Sequence, residues 1–287
     1  MESLAIPPAW DEVWICPDAD GHLQATGRDG RRRKQYRYHA LWTKHANLLK
    51  FAELRRFGER LPSLRRRVLR DLKRSSLDRR RVIATVVRLL DRGFLRVGND
   101  DYTRLNRTYG ATTLQDRHIE IKEDEVHIHF FGKHRIPRDV RLSDPILAGV
   151  LDELAMTPRS RLFRYRNDGR WRDVRPQHVN EYLADTMDGA TAKTFRTWHA
   201  SCQMVSHLRQ YAGTSERPKR RHVSEGMQAV AARLGNRPAT CRKFYVHPRL
   251  VDCYLNGQFP AIDPLPARGL RQNEAIFLGF LTGDSTD

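Results

Sequence analysis

Val126-His127-Ile128-His129-Phe130-Phe131 alternates apolar and polar side chains, which is the period of a strand with one face on a core and the other towards solvent. Glu123-Asp124-Glu125 before it and Gly132-Lys133-His134 after it read as turns, and strand-like runs flank them at residues 118–121 and 136–142. A three-stranded β region is therefore expected. Lys133 sits at a hairpin tip, from which a long side chain reaches into a groove.

On both sides of this region the period lengthens. Leu48, Phe51 and Leu54 are spaced by three, and Val82, Ala84, Val86, Val87, Leu89 and Leu90 form a second apolar-rich stretch, so helices are expected there. Residues 145–155, 176–187, 194–211, 224–234 and 248–255 also read as helical, with Gly235 placed as a C-terminal stop followed by Asn236. The run Gly213-Thr214-Ser215-Glu216-Arg217-Pro218-Lys219-Arg220 reads as a mobile linker. Nearer the N-terminus, strands are expected around Val13-Trp14-Ile15-Cys16 and His22-Leu23-Gln24-Ala25, with Asp20-Gly21 as a hairpin turn. The fold class is α+β. A small β-rich N-terminal lobe occupies residues 1–47, and a larger, mainly α-helical domain with the three-stranded region occupies residues 48–287.

The chain has 287 residues, 39% of them hydrophobic, enough for a core in one large or two smaller domains. Lys and Arg exceed Asp and Glu by 52 to 34, a formal charge of +18, which points to a polyanionic partner, nucleic acid first. The runs Arg65-Arg66-Arg67 and Arg79-Arg80-Arg81 read equally well as phosphate contacts or solvated faces. No apolar run reaches the roughly 18 residues of a membrane span and no signal peptide is apparent, so a soluble, cytoplasmic protein is expected. The four cysteines are scattered without CxxC spacing, and neither a disulfide framework nor a zinc site is expected. His127 and His129 alternate on one strand with no third ligand at metal spacing. No GxxxxGK[ST] run is present, so ATP use is not supported.

Four short contexts carry chemistry: Phe94-Leu95-Arg96-Val97-Gly98-Asn99, Phe131-Gly132-Lys133, Lys193-Thr194-Phe195-Arg196-Thr197-Trp198, and Leu234-Gly235-Asn236 running on to Arg242-Lys243-Phe244-Tyr245-Val246-His247-Pro248. Breaking a phosphodiester without a metal requires a nucleophile, cations for the non-bridging oxygens and an acid for the departing oxygen. An arginine fork suits the phosphate, a lysine can protonate an alkoxide, and a tyrosine can attack when cations stabilise its developing phenolate. Taken singly, each residue has an ordinary reading: Arg96 or Lys133 on a basic surface, Tyr245 packed at a helix junction, Asn236 ending a helix. Their joint occurrence, in this order and with these separations, resembles the type IB DNA topoisomerases, the bacterial and viral branch in particular.

The resemblance covers nearly the whole chain and implies a fold and roles. The catalytic domain is expected to be related to that of tyrosine recombinases. Arg96 and Arg196 match the family's two phosphate-binding arginines, Lys133 its general acid towards the 5′ hydroxyl, and Tyr245 the nucleophile that forms a 3′-phosphotyrosyl link. Asn236, where many relatives have histidine, is expected to donate a hydrogen bond to a non-bridging oxygen. Lys193 occupies the place of an assisting lysine in some viral relatives. Gln35, Tyr36 and Tyr38, in the basic-aromatic run 34–39, match a motif on the N-terminal lobe that faces DNA, and Tyr102 matches a further phosphate contact. That lobe begins a few dozen residues earlier in the family, so it is expected to be incomplete here. The partner implied is double-stranded DNA, bound by a monomer without cofactor or metal and associated with the nucleoid. Tyrosine recombinases share the chemistry, but usually place histidine where this chain has Lys193, and Thr197-Trp198 also favours the topoisomerases.

Overall fold

The computed structural model describes residues 4–30, 32–157, 161–213, 216–259 and 268–283, apart from the side chains of Glu216 and Arg217. The chain divides into two compact units, Met1–Glu53 and Leu54–Asp287. The division falls inside helix α1 (Ala40–Leu72), which also spans residue 47.

In the first unit β1 (Asp11–Ile15), β2 (Leu23–Arg28) and β3 (Lys34–Tyr38) form an antiparallel sheet in chain order. The turn between β1 and β2 is held from inside. Gln24 is buried, and its Nε2 donates to the carbonyls of Asp18, Ala19 and Gly21 at 3.1, 2.9 and 2.6 Å. The segment read as a basic-aromatic cluster is β3 itself. Its alternation puts Tyr36 and Tyr38 on one face, both exposed and stacked at 6.1 Å, while Gln35 turns to the other, where its Nε2 donates to Asp29 at 2.9 Å.

The second unit is largely helical. Leu54, Phe57, Leu61, Leu64, Val68 and Leu72 of α1 are all buried, a stripe at three- and four-residue spacing that lays one helix face on the core. Helix α2 (Arg79–Gly93) starts at Asp78, whose carboxylate accepts from the Arg81 amide at 2.9 Å, a capped N-terminus worth about 1 kcal/mol. After the short α3 (Asp100–Asn106), β4 (Ile119–Lys122), β5 (Glu125–Phe131) and β6 (Pro137–Ser143) make the expected antiparallel region. Val126, Ile128 and Phe130 are buried. Helix α4 (Pro145–Ala155) follows. Then comes a hairpin, β7 (Arg164–Asn167) with β8 (Arg170–Asp173), turned at Asp168-Gly169 and not foreseen from the sequence. Helices α5 (Pro176–Ala184), α6 (Ala192–Arg209), α7 (Glu216–Leu234), α8 (Pro238–Phe244), α9 (Pro248–Leu255) and α10 (Gln272–Thr282) complete the unit.

Helix α6 runs through the core and packs on α7 and α10. Trp198 is fully buried between Phe57, at 5.7 Å, and Phe277, at 5.1 Å, and a Cβ at Gly58 would collide with its ring. Two readings of the sequence need correction. Residues 216–220, taken as linker, are the first turn of α7, while Thr214 and Ser215 lie outside the described residues. The arginine runs do not simply face solvent. Arg65 pairs with buried Asp91 and Glu274 at 2.7 Å each, and Arg67 pairs with Asp185 and Arg81 with Glu153 at 2.9 and 2.6 Å. These pairs tie α1 to α2 and α10, α1 to the end of α5, and α2 to α4. Among the described residues no helix is long and apolar enough to cross a membrane.

Candidate active site

The local backbone explains how each side chain is aimed. Helix α2 ends at Phe94, in the left-handed region at φ 58°, and the next residues run extended past the segment that starts at Gly110. The amides of Ala111 and Thr112 donate to the carbonyls of Arg96 and Val97 at 2.8 and 2.7 Å. This approach requires glycine: a Cβ on Gly110 would lie 2.6 Å from the Gly98 backbone and 2.7 Å from the Arg96 carbonyl. Arg96 therefore projects from a pinned segment. Arg196 and Lys193 stand one turn apart at the start of α6.

Helix α7 ends in a Schellman motif. Gly235 is left-handed at φ 61°, the Asn236 amide donates to Ala231 at 3.0 Å and the Gly235 amide to Ala232 at 3.3 Å. Three guanidiniums take the carbonyls around this end. Arg138 of β6 donates to Ala232 and Arg233 at 3.4 and 2.7 Å, Arg196 to Leu234 at 3.0 Å, and Arg96 to Gly235 at 3.1 Å. Cations suit a helix C-terminus, where the backbone dipole presents negative charge. Arg196 also donates to the Phe94 carbonyl at 2.7 Å. Arg96 further donates to the side-chain oxygen of Asn236, which leaves the Asn236 Nδ2 buried beside Cys241 with no oxygen partner.

Tyr245 ends α8. Its carbonyl accepts from the buried Ser201 hydroxyl at 3.3 Å, and the Ser201 Oγ in turn accepts from the His247 amide at 3.0 Å. Ser201 thus fastens the tyrosine's turn to α6, one helical turn and a half from Arg196. The Arg196 guanidinium carbon lies 5.2 Å from the Tyr245 ring centroid, close enough to stabilise negative charge on the ring oxygen. Lys133 stands in the turn between β5 and β6, with Nζ 5.8 Å from the Tyr102 ring centroid.

These side chains share one cavity of about 280 Å³. Its walls include Arg96, Tyr102, Lys133, Lys193, Arg196 and Tyr245, and no Asp or Glu is among the described residues that line it. Burial, and then the charge of Arg196, push the Arg96 guanidinium down to about 10. Burial lowers Arg196 as well, partly offset by Tyr245. A guanidinium keeps its charge at neutral pH, so the site holds positive charge ready for an anion. Arg196 is only 3% exposed, and its Nε has no hydrogen-bond partner, an unsatisfied donor of the kind a phosphate oxygen would fill.

The structure therefore brings together Arg96, Lys133, Lys193, Arg196, Tyr245 and Tyr102, with Asn236 behind Arg96. Gln35, Tyr36 and Tyr38 belong to the other unit. Sequence reading missed Arg138 and Ser201. Arg138 lies on the apolar face of β6, where a charged residue among inward positions was the one available signal. Spacing along the chain also hides a third candidate metal ligand near His127 and His129, since Glu120 stands directly across the β4–β5 pair from His127.

Comparison with known proteins identifies the family. Residues 39–253 match the family described as eukaryotic DNA topoisomerase I, catalytic core, and residues 1–29 match the bacterial DNA topoisomerase IB N-terminal domain. The DNA topoisomerase 1B of Acanthamoeba polyphaga mimivirus is 27% identical over 89% of this chain and 79% of its own length. The DNA topoisomerase 1B of vaccinia virus (strain Copenhagen) is 28% identical over 48% of this chain and 45% of its own length. With the catalytic-core match spanning most of its length and the site residues gathered in one cavity, this chain belongs to the type IB DNA topoisomerases.

Proposed function

We propose that the chain relaxes supercoiled duplex DNA by opening and resealing one strand at Tyr245. The observation that carries this reading is the cavity in which a tyrosine faces four cationic side chains with no carboxylate among the lining residues described. Arg96 and Arg196 hold the non-bridging oxygens of the scissile phosphate, and the Asn236 Nδ2 donates to one of them. The Tyr245 oxygen attacks phosphorus and loses its proton to solvent. A bond forms between that oxygen and the 3′ phosphate, the bond from phosphorus to the 5′ oxygen breaks, and Lys133 supplies the proton the departing oxygen takes up. Lys193 assists from the rim. Resealing reverses each step, and because the phosphotyrosyl ester conserves the bond energy, no ATP is needed.

Torsional strain in the DNA drives rotation about the intact strand. The basic surface retains the duplex meanwhile, with Tyr36 and Tyr38 offering flat rings and Tyr102 a polar contact, while Gln35, expected to join them, is turned to the other face of β3 and bonded to Asp29. The enzyme acts as a monomer on nucleoid DNA. The discriminating experiment incubates the chain with supercoiled plasmid lacking any designed site and quenches with denaturant. A ladder of relaxed topoisomers and a covalent adduct are expected. Strand exchange confined to paired sites, with no relaxation, would replace this reading with a recombinase.

A further inference from the structure

On the exposed face of the β4–β5–β6 sheet, strand pairing assembles what chain spacing does not. Glu120 lies opposite His127, and Asp139 opposite His129. The two histidine rings alternate onto this face, 5.6 Å apart, away from the core side chains of the same strand. Ligand atoms of Glu120, His127 and His129 all lie within 4.8 Å of one another. His127 is held from both sides, its Nε2 2.9 Å from the Asp139 carboxylate and its Nδ1 3.7 Å from the Glu120 carboxylate. A carboxylate that accepts from Nε2–H selects the tautomer whose lone pair sits on Nδ1, the side of Glu120. Metalloproteins orient ligating imidazoles in this way.

We propose that Glu120, His127 and His129 form a site for a divalent transition-metal ion of the Zn²⁺ class, with Asp139 orienting His127. Two imidazoles and a carboxylate suit zinc and its neighbours better than magnesium or calcium, which take oxygen ligands. Three protein ligands leave a fourth position for water. Drawing the ligand atoms in to bonds of about 2 Å needs only rotation of surface side chains, since the Glu120 side chain is 57% exposed. Arg141, opposite His127 and 3.8 Å from Asp139, opposes the ion's charge, and the two carboxylates outweigh it. A bound ion would tie β4 to β5, the strand that leads into the Lys133 turn, and so stiffen the support of that lysine from outside the cavity.

The test titrates chelator-stripped protein with ZnCl₂ by calorimetry, with a thiol-free reductant, and follows the melting temperature in parallel. One ion per chain at micromolar affinity and a raised melting temperature are expected. His129→Gln and Glu120→Gln should each weaken binding about tenfold or more, and Asp139→Asn about tenfold, all with the zinc-free melting temperature unchanged. Stoichiometric binding that survives the double substitution of His127 and His129 by Gln would overturn the assignment, pointing instead to the partly exposed thiols of Cys16 and Cys253. Absence of binding below millimolar zinc would overturn it equally.

Discussion

The cavity has two unlike halves. Arg96 and Arg196 are held against the end of α7, their guanidiniums already bonded to the carbonyls of Gly235, Leu234 and Phe94, whereas Lys133 and Lys193 stand exposed, one on a turn and one at a helix start. The difference suits the two tasks proposed for these side chains. Stabilising a pentacoordinate phosphate needs donors fixed before the substrate arrives, because reorganisation during reaction would cost what the contact gains. Delivering a proton needs a charge that can advance on a leaving atom and withdraw. Arginine's rigid fork suits the first and lysine's flexible stem the second.

The largest effect should come from the group both halves serve. Tyr245→Phe is expected to abolish plasmid relaxation and the denaturant-stable adduct while leaving the melting temperature intact, since the contacts that hold its turn are backbone contacts to Ser201. An adduct that persists would show that another residue attacks. Next, Arg196→Lys should slow cleavage about 10³-fold and also lower stability, because one ammonium cannot reach both the Phe94 and Leu234 carbonyls. A lysine tolerated there would break the contrast between the halves. Lys133→Ala should slow cleavage by about 10²- to 10³-fold without changing the melt. Replacing the 5′ bridging oxygen with sulfur, which departs without a proton, should restore the rate. Failure of that rescue would remove Lys133 from the acid role.

The buried half should also be the acid-sensitive one. His199, one turn beyond Arg196 on α6, is buried, and burial holds its imidazole down to about 4 against the nearby Asp91. The unfolded chain takes up this proton near pH 6.5 and the folded one near 4, so its contribution is intact above pH 6.5 and is lost as pH falls towards 4. The loss is about 3 kcal/mol, or about three hundredfold in the folding equilibrium. Denaturant titrations across that window check it, with His199→Gln flattening the slope. His118, also held down to about 4 by burial, titrates in the same range and is removed by the difference between the two proteins. Asp91 acts lower: burial favours its neutral form, but Arg65 outweighs this and holds it at about 2. The smallest effect is expected of Arg138→Ala, about a tenfold slowing of cleavage. It would act through a loosened α7 end, and restoration by Lys would show that charge at the carbonyls suffices.

What could be read from the chain follows from how local each signal was. The alternation of Val126, Ile128 and Phe130 marked β5, and Gly235 marked the end of α7, because each depends on neighbours in sequence. The β7–β8 hairpin escaped because Arg164, Tyr165 and Trp171 mix charge and ring on both faces, and its turn at Asp168-Gly169 was the only clean mark. The first turn of α7 escaped because Glu216-Arg217-Pro218 resembles loop composition, though proline is well tolerated there. Within the site, Arg96, Lys133, Arg196 and Tyr245 were legible through the family pattern. Arg138 and Ser201 were not, since each acts on backbone groups about 95 and 44 residues away. Nothing local announces such a partner.

The three guanidiniums around the end of α7 also bear on how the fold weathers mutation. Arg96 and Arg138 are both held down to about 10, by burial and then by the charge of Arg196, a mutual repulsion that a bound phosphate would relieve. Clustered like charge of this kind exchanges stability for chemistry at many active sites. Selection for heat resistance alone, with no demand for DNA relaxation, should therefore find its first gains by discharging this cluster, and would drift towards a sturdier protein that no longer cuts.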